Sequence, residues 1–101
     1  MTITVTVTTT KPAGAQFYSD LGPDAASKIQ LIKDWNAAQP GFISESHNRP
    51  NENTKVKILV WDTVEHYVDW TNARQQLPEQ PLRVAYNNAH GIHSVIYESL
   101  S

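Results

Sequence analysis

Residues 55–61 place Val56, Ile58 and Val60 on one face of an extended chain and Lys57, Leu59 and Trp61 on the other. A sheet with one wet side alternates apolar with polar residues, so a strand that is apolar on both sides must be covered on both. Two other extended stretches repeat the pattern. Ile43 opposes Phe42, and Val95 and Tyr97 oppose Ile96. The chain therefore has to supply one cover for its sheet and obtain another, for which a two-fold partner is the commonest source.

The remaining elements follow from local signals. Residues 2–10 alternate Ile3, Val5 and Val7 with Thr4, Thr6 and Thr8, a strand pattern. Residues 11–22 contain Pro12, Gly14 and Gly22 and read as a long loop. Pro23 and Asp24 suit the start of a helix that Pro40-Gly41 ends, with Ala25, Ile29, Leu31, Ile32 and Trp35 on its apolar arc. A second strand is expected over 42–49, a polar turn over 48–54 and a third strand over 55–61. Asp62-Thr63-Val64-Glu65 reads as a capping box for a helix over 63–77. A short helix over 81–90 and a strand over 92–99 complete the chain. Strand, helix, strand, strand, helix, strand is the ferredoxin-like order: an α+β domain with a four-stranded antiparallel sheet and its helices on one face. The 101 residues are read as a single domain.

Composition removes several function classes. The net charge is −2 and the eight Lys and Arg are scattered, which argues against nucleic acid. No cysteine is present, so thiolate metal or redox chemistry is excluded. His90 and His93 are the only closely spaced histidines and cannot complete a zinc site alone, so no metal is expected. The N-terminus lacks a signal-peptide pattern and no stretch is long enough to span a membrane, so a cytoplasmic location is expected.

Two segments resemble a known family. They are Pro40-Gly41-Phe42-Ile43-Ser44 and the run from Val56 through Trp61-Asp62-Thr63 to Trp70. A Pro-Gly-Phe entry to the second strand, a third strand ending in Trp and a capped helix of this length resemble the antibiotic-biosynthesis monooxygenases. The resemblance implies a homodimeric α/β barrel with a cleft between helices and sheet in each subunit. It also implies oxidation of polycyclic aromatic compounds by O₂ without a cofactor in some members, and haem opening in others. The haem-opening pattern pairs an Asn on the first strand with a Trp on the second helix and a His ten residues beyond. Trp70 matches the Trp, but residues 1–10 hold no Asn and position 80 is Gln. The quinone-forming pattern places an Asn near the Trp of the third strand; Trp61 matches, but residues 54–61 hold no Asn.

The residues themselves nominate a site. On the helix over 63–77, Arg74 falls between Tyr67 and Trp70 on an apolar arc, with His66 at its margin. A buried Arg needs a partner or a path to water, so these side chains are expected to line a cleft and hold an aromatic oxyanion. Arg74 near a helix C-terminus, extending to solvent, is the plainer reading. His66 or His90 is the expected proton acceptor. Trp61 and Trp70 are expected as cleft walls, Tyr86 and Asn87 as further ligand contacts, and Tyr18 as a side chain closing the mouth. Taken with the placement of Arg74, the resemblance implies monooxygenation of a small aromatic or polyketide-type substrate, with no cofactor and a homodimeric partner. The alternative is a non-catalytic ligand-binding or stress-response protein of the same fold.

Overall fold

The computed structural model describes residues 1–101. Strands β1 (Ile3–Thr10), β2 (Phe42–Asn51), β3 (Thr54–Trp61) and β4 (His93–Leu100) form one antiparallel sheet in the order β2-β3-β1-β4. Helices α1 (Pro23–Ala37), α2 (Val64–Arg74) and α3 (Glu79–Ala89) complete the fold, with a short 3-10 turn at Tyr18–Asp20 in the first loop. The ferredoxin-like α+β expectation holds.

The register explains where the core lies. On the inner face Ile3 pairs with Trp61 and Val5 with Leu59, and these four are almost fully buried. Trp70 from α2 completes the cluster, and Trp35, Phe42 and Tyr67 pack around it. Trp61 meets Phe42 edge-on at 5.7 Å and Trp70 at 5.2 Å, contacts that add to plain area burial. The Pro-Gly-Phe entry has a steric cause. Gly41 has φ +82°, and a Cβ there would lie 2.4 Å from Asp62 Oδ1 and from His66 Nδ1.

Three sequence expectations are corrected. Leu31 is 66% exposed, while Asn36 is buried in its place. The helix turns Ile29, Ile32, Lys33 and Asn36 inward, a narrower stripe than apolar content alone suggests. The cap of α2 is Thr63, not Asp62. Asp62 N–H still bonds Gly41 O across the strands (2.9 Å), so the chain first turns at Thr63, whose Oγ1 accepts from His66 N–H (3.1 Å). The polar turn is also tighter than its composition suggests: β2 runs to Asn51 and β3 starts at Thr54.

The outer face of the sheet mixes the threonines of β1 and serines of β2 with apolar side chains of β3 and β4. Val95 and Tyr97 are well exposed there. No helix is long and apolar enough to cross a membrane.

Candidate functional site

Beyond the apolar core the same inner face opens into a cavity of about 660 Å³ between sheet and helices. Each helix contributes four residues at the same spacing. They are Ile29, Ile32, Lys33 and Asn36 from α1; Tyr67, Trp70, Thr71 and Arg74 from α2; and Gln80, Arg83, Val84 and Asn87 from α3. The i, i+3, i+4, i+7 pattern is one helical stripe, so all three helices turn a mixed polar and apolar stripe toward the same space.

The charge of the lining is lopsided. Lys33, Arg49, Lys55, Lys57, Arg74 and Arg83 line the cavity, six of the eight Lys and Arg in a chain of net charge −2. Glu45 is the only carboxylate in the lining. Burial, then the like charge of Arg74 and Arg83, lowers Lys57 to about 7. Burial and Arg83 lower Arg74 to about 10, and burial also lowers Arg83. Arg74 and Arg83 each keep a buried Nε without an acceptor. Unmet donors of this kind cost about 1–3 kcal/mol apiece, which an oxyanion in the cavity would recover. The Arg74 guanidinium also lies over the Trp70 ring, 5.2 Å from its centre.

A polar chain leads from the core into the cavity. Trp70 Nε1 donates to Asn36 Oδ1 (2.8 Å), and Asn36 Nδ2 donates to Glu45 Oε1 (3.1 Å). Glu45 Oε2 lies 2.5 Å from His47 Nε2. Burial outweighs Glu45 and holds His47 below its ordinary value. With Nε2–H donating to Glu45, Nδ1 is left as the proton acceptor.

The first loop closes the far end. Phe17 is buried, and Lys11, Arg49 and Lys55 approach its ring at 5.0–5.6 Å. Asp20 receives two hydrogen bonds from Arg49 (2.9 and 2.7 Å), which lower the carboxyl, and Lys55 Nζ donates to Ser19 Oγ (3.0 Å). Tyr18 packs edge-on against Tyr86 at 5.6 Å, and Tyr86 OH donates to Gln16 O (2.7 Å).

Of the residues nominated from the sequence, Arg74, Tyr67, Trp70, Asn87 and Tyr18 line this cavity. The others lie elsewhere. Trp61 is fully buried in the core and forms no wall. Tyr86 ties the loop to α3 and stacks on His90 at 4.0 Å; His90 Nδ1 bonds Tyr86 O. His66 sits in a separate shallow depression near Gln39 and Pro40, paired with Asp62 at 2.6 Å. That pairing raises His66 and lowers Asp62. Asn36, Glu45, His47, Lys57 and Arg83 had not been singled out.

No family model matches the sequence, and no curated protein matches it. Solved structures do match. The cofactor-independent oxygenase SnoaB of Streptomyces nogalater aligns over 99% of this chain and 92% of its own, at 18% identity and TM-score 0.62. A Deinococcus radiodurans protein classed among the antibiotic biosynthesis monooxygenases aligns over 98% and 91%, at 11% identity and TM-score 0.64. The chain has the antibiotic-biosynthesis-monooxygenase fold. The haem degrader MhuD of Mycobacterium tuberculosis, solved with two haems in its active site, shares that fold over 98% of this chain and 96% of its own, at 18% identity and TM-score 0.53. At these identities the likeness is one of architecture, and chemistry has to be argued from the cavity.

Proposed function

We propose that this chain binds a small aromatic or polyketide-type compound as its anion and oxidises it with O₂, without a cofactor. One observation carries the reading: six basic side chains and a single carboxylate surround a cavity walled by Trp70, Tyr67 and Phe17. A flat phenolate or enolate matches both features, since it stacks on aromatic faces and accepts from guanidinium N–H groups. Its placement against Arg74 and Arg83 would stabilise the charge that develops when the substrate loses a proton.

His47, oriented by Glu45 and Asn36, is the proton acceptor in this reading. His66 and His90 have no access to the cavity. Proton loss leaves a delocalised carbanion. It transfers one electron to O₂, and the resulting radical pair joins as a peroxide at the same carbon. Protonation of the peroxide, loss of the second C–H proton and O–O cleavage release water. The balance is CH₂ plus O₂ to C=O plus H₂O. The protein supplies the base and the charge complementarity.

The outer sheet face, with Val95 and Tyr97 exposed, is proposed to pack on a second copy. The test of function is oxygen uptake with hydroxyanthrone-like substrates. Uptake that falls on the order of a hundredfold in both Arg74→Ala and His47→Gln supports the proposal. No turnover above the Arg74→Ala control across a broad panel overturns it. The absence of an Asn on β3 favours a second reading, a non-catalytic binder of the same ligand class. Tight ligand binding with no oxygen uptake distinguishes that case.

A further inference from the structure

We propose that Lys57 is a carbonyl-capturing amine, forming a reversible imine with an aldehyde or ketone that also bears an anionic group. The inference rests on the cavity accepting an anion and is independent of oxygen chemistry.

Position comes first. Lys57 lies on β3, an inner strand of the sheet, paired with Val7 of β1 and His47 of β2, at the floor of the cavity. Two other lysines have fixed partners: Lys11 Nζ donates to Asn53 and Lys55 Nζ to Ser19. Lys57 has no such acceptor; its environment consists of burial and neighbouring charges. Those charges are Arg74 on α2, Arg83 on α3, Glu45 on β2 and Lys55 on its own strand, and His47 is its cross-strand neighbour.

The chemistry follows from that setting. Burial, with guanidinium groups beside it, disfavours the ammonium and favours the nucleophilic free amine, the arrangement that activates a lysine toward carbonyls. At about 7, a large share of Lys57 is free amine at neutral pH. The same guanidinium groups give the ligand's anionic group a seat, with unmet donors at Arg74 Nε and Arg83 Nε. The Nζ lone pair adds to the carbonyl carbon to give a carbinolamine. That carbinolamine takes up one proton from solvent and expels the former carbonyl oxygen as water, leaving a protonated imine. No oxidant or reductant takes part. The imine withdraws electrons and acidifies the neighbouring C–H, which His47 is placed to accept.

The test is reductive trapping of the full chain at pH 7 under nitrogen, with 4-carboxybenzaldehyde and sodium cyanoborohydride, followed by intact mass and peptide mapping. One adduct is expected, on Lys57, forming on the order of a hundredfold faster than on exposed Lys28. Benzaldehyde, which lacks the carboxylate, should label Lys57 about tenfold more slowly. Lys57→Gln should remove the adduct. Should that variant fail to fold, Arg74→Gln should still abolish the preference for the carboxylated probe. Labelling spread evenly over the lysines, a silent Lys57, or equal labelling by both aldehydes would overturn the proposal. Selective trapping in a chain that consumes no oxygen would leave this proposal standing and the oxygenase reading fallen.

Discussion

Two halves of one sheet face differ sharply. Toward one end the paired residues of β1 and β3 are Ile3 with Trp61 and Val5 with Leu59, all sealed from solvent. One step further along the same two strands the pairs are Val7 with Lys57 and Thr9 with Lys55. The pleat, the facing direction and the covering helices are shared, yet apolar packing gives way to a cationic cavity within two residues. Apolar burial is concentrated in the first half and charged, cavity-lining side chains in the second. Asn36 joins them, bonding the core-packed Trp70 on one side and Glu45 of the cavity on the other.

The largest effect expected from breaking this contrast lies in the sealed half. Trp61→Ala should destabilise the chain by about 3–5 kcal/mol, measured by urea unfolding. A loss below ~1 kcal/mol would mean the core is not where the register puts it. Trp70→Phe retains most of the packing but strips Asn36 Oδ1 of its donor. It should cost about 1–3 kcal/mol, and His47 should titrate differently by NMR as the Asn36–Glu45 link loosens. Lys57→Met in the open half should act in the opposite direction, raising stability at pH 7 by about 1 kcal/mol while weakening anion binding.

The pH dependence sharpens the same contrast. Lys57 falls from an ordinary 10.5 to about 7 on folding. Between these values the unfolded chain holds more protons than the folded one, so this group makes stability rise with pH from about 7 toward 10.5. Urea midpoints at pH 7 and 9.5 should show that rise, and Lys57→Met should flatten it. The smallest effect is expected at His66→Ala. Its pair with Asp62 lies on the surface, so the change should leave both the urea midpoint and ligand binding essentially where they are.

Much of the sealed half was legible in the sequence. Alternation in β1 and β3 and the Trp at the end of β3 are direct readouts of a period of two. Arg74 was legible as well, because a charge inside an apolar helical arc violates the pattern around it. Lys57 had the same signal, sharing a face with Leu59 and Trp61, but one lysine on a strand draws less notice than an arginine among aromatics. Glu45 and His47 were hidden by a register shift between Phe42 and Ser44. Strict alternation from Phe42 would turn Ser44 and Ser46 inward. The irregularity adds a residue, so Glu45 pairs with Leu59 and His47 with Lys57 on the inner face. Asn36 was obscured for another reason: which stripe of a weakly amphipathic helix such as α1 faces inward is decided by tertiary packing.

Binding decides the central matter with the least ambiguity. Tryptophan fluorescence, reporting through Trp70 at the cavity wall, can follow titration with 1-hydroxy-2-naphthoate and with uncharged 2-methoxynaphthalene at pH 7. The cationic cavity predicts binding of the carboxylate at least about tenfold tighter than its neutral counterpart, with the preference lost in an Arg74→Gln, Arg83→Gln double variant that stays folded. Equal affinities for the two compounds, or an unchanged preference in the double variant, would contradict it.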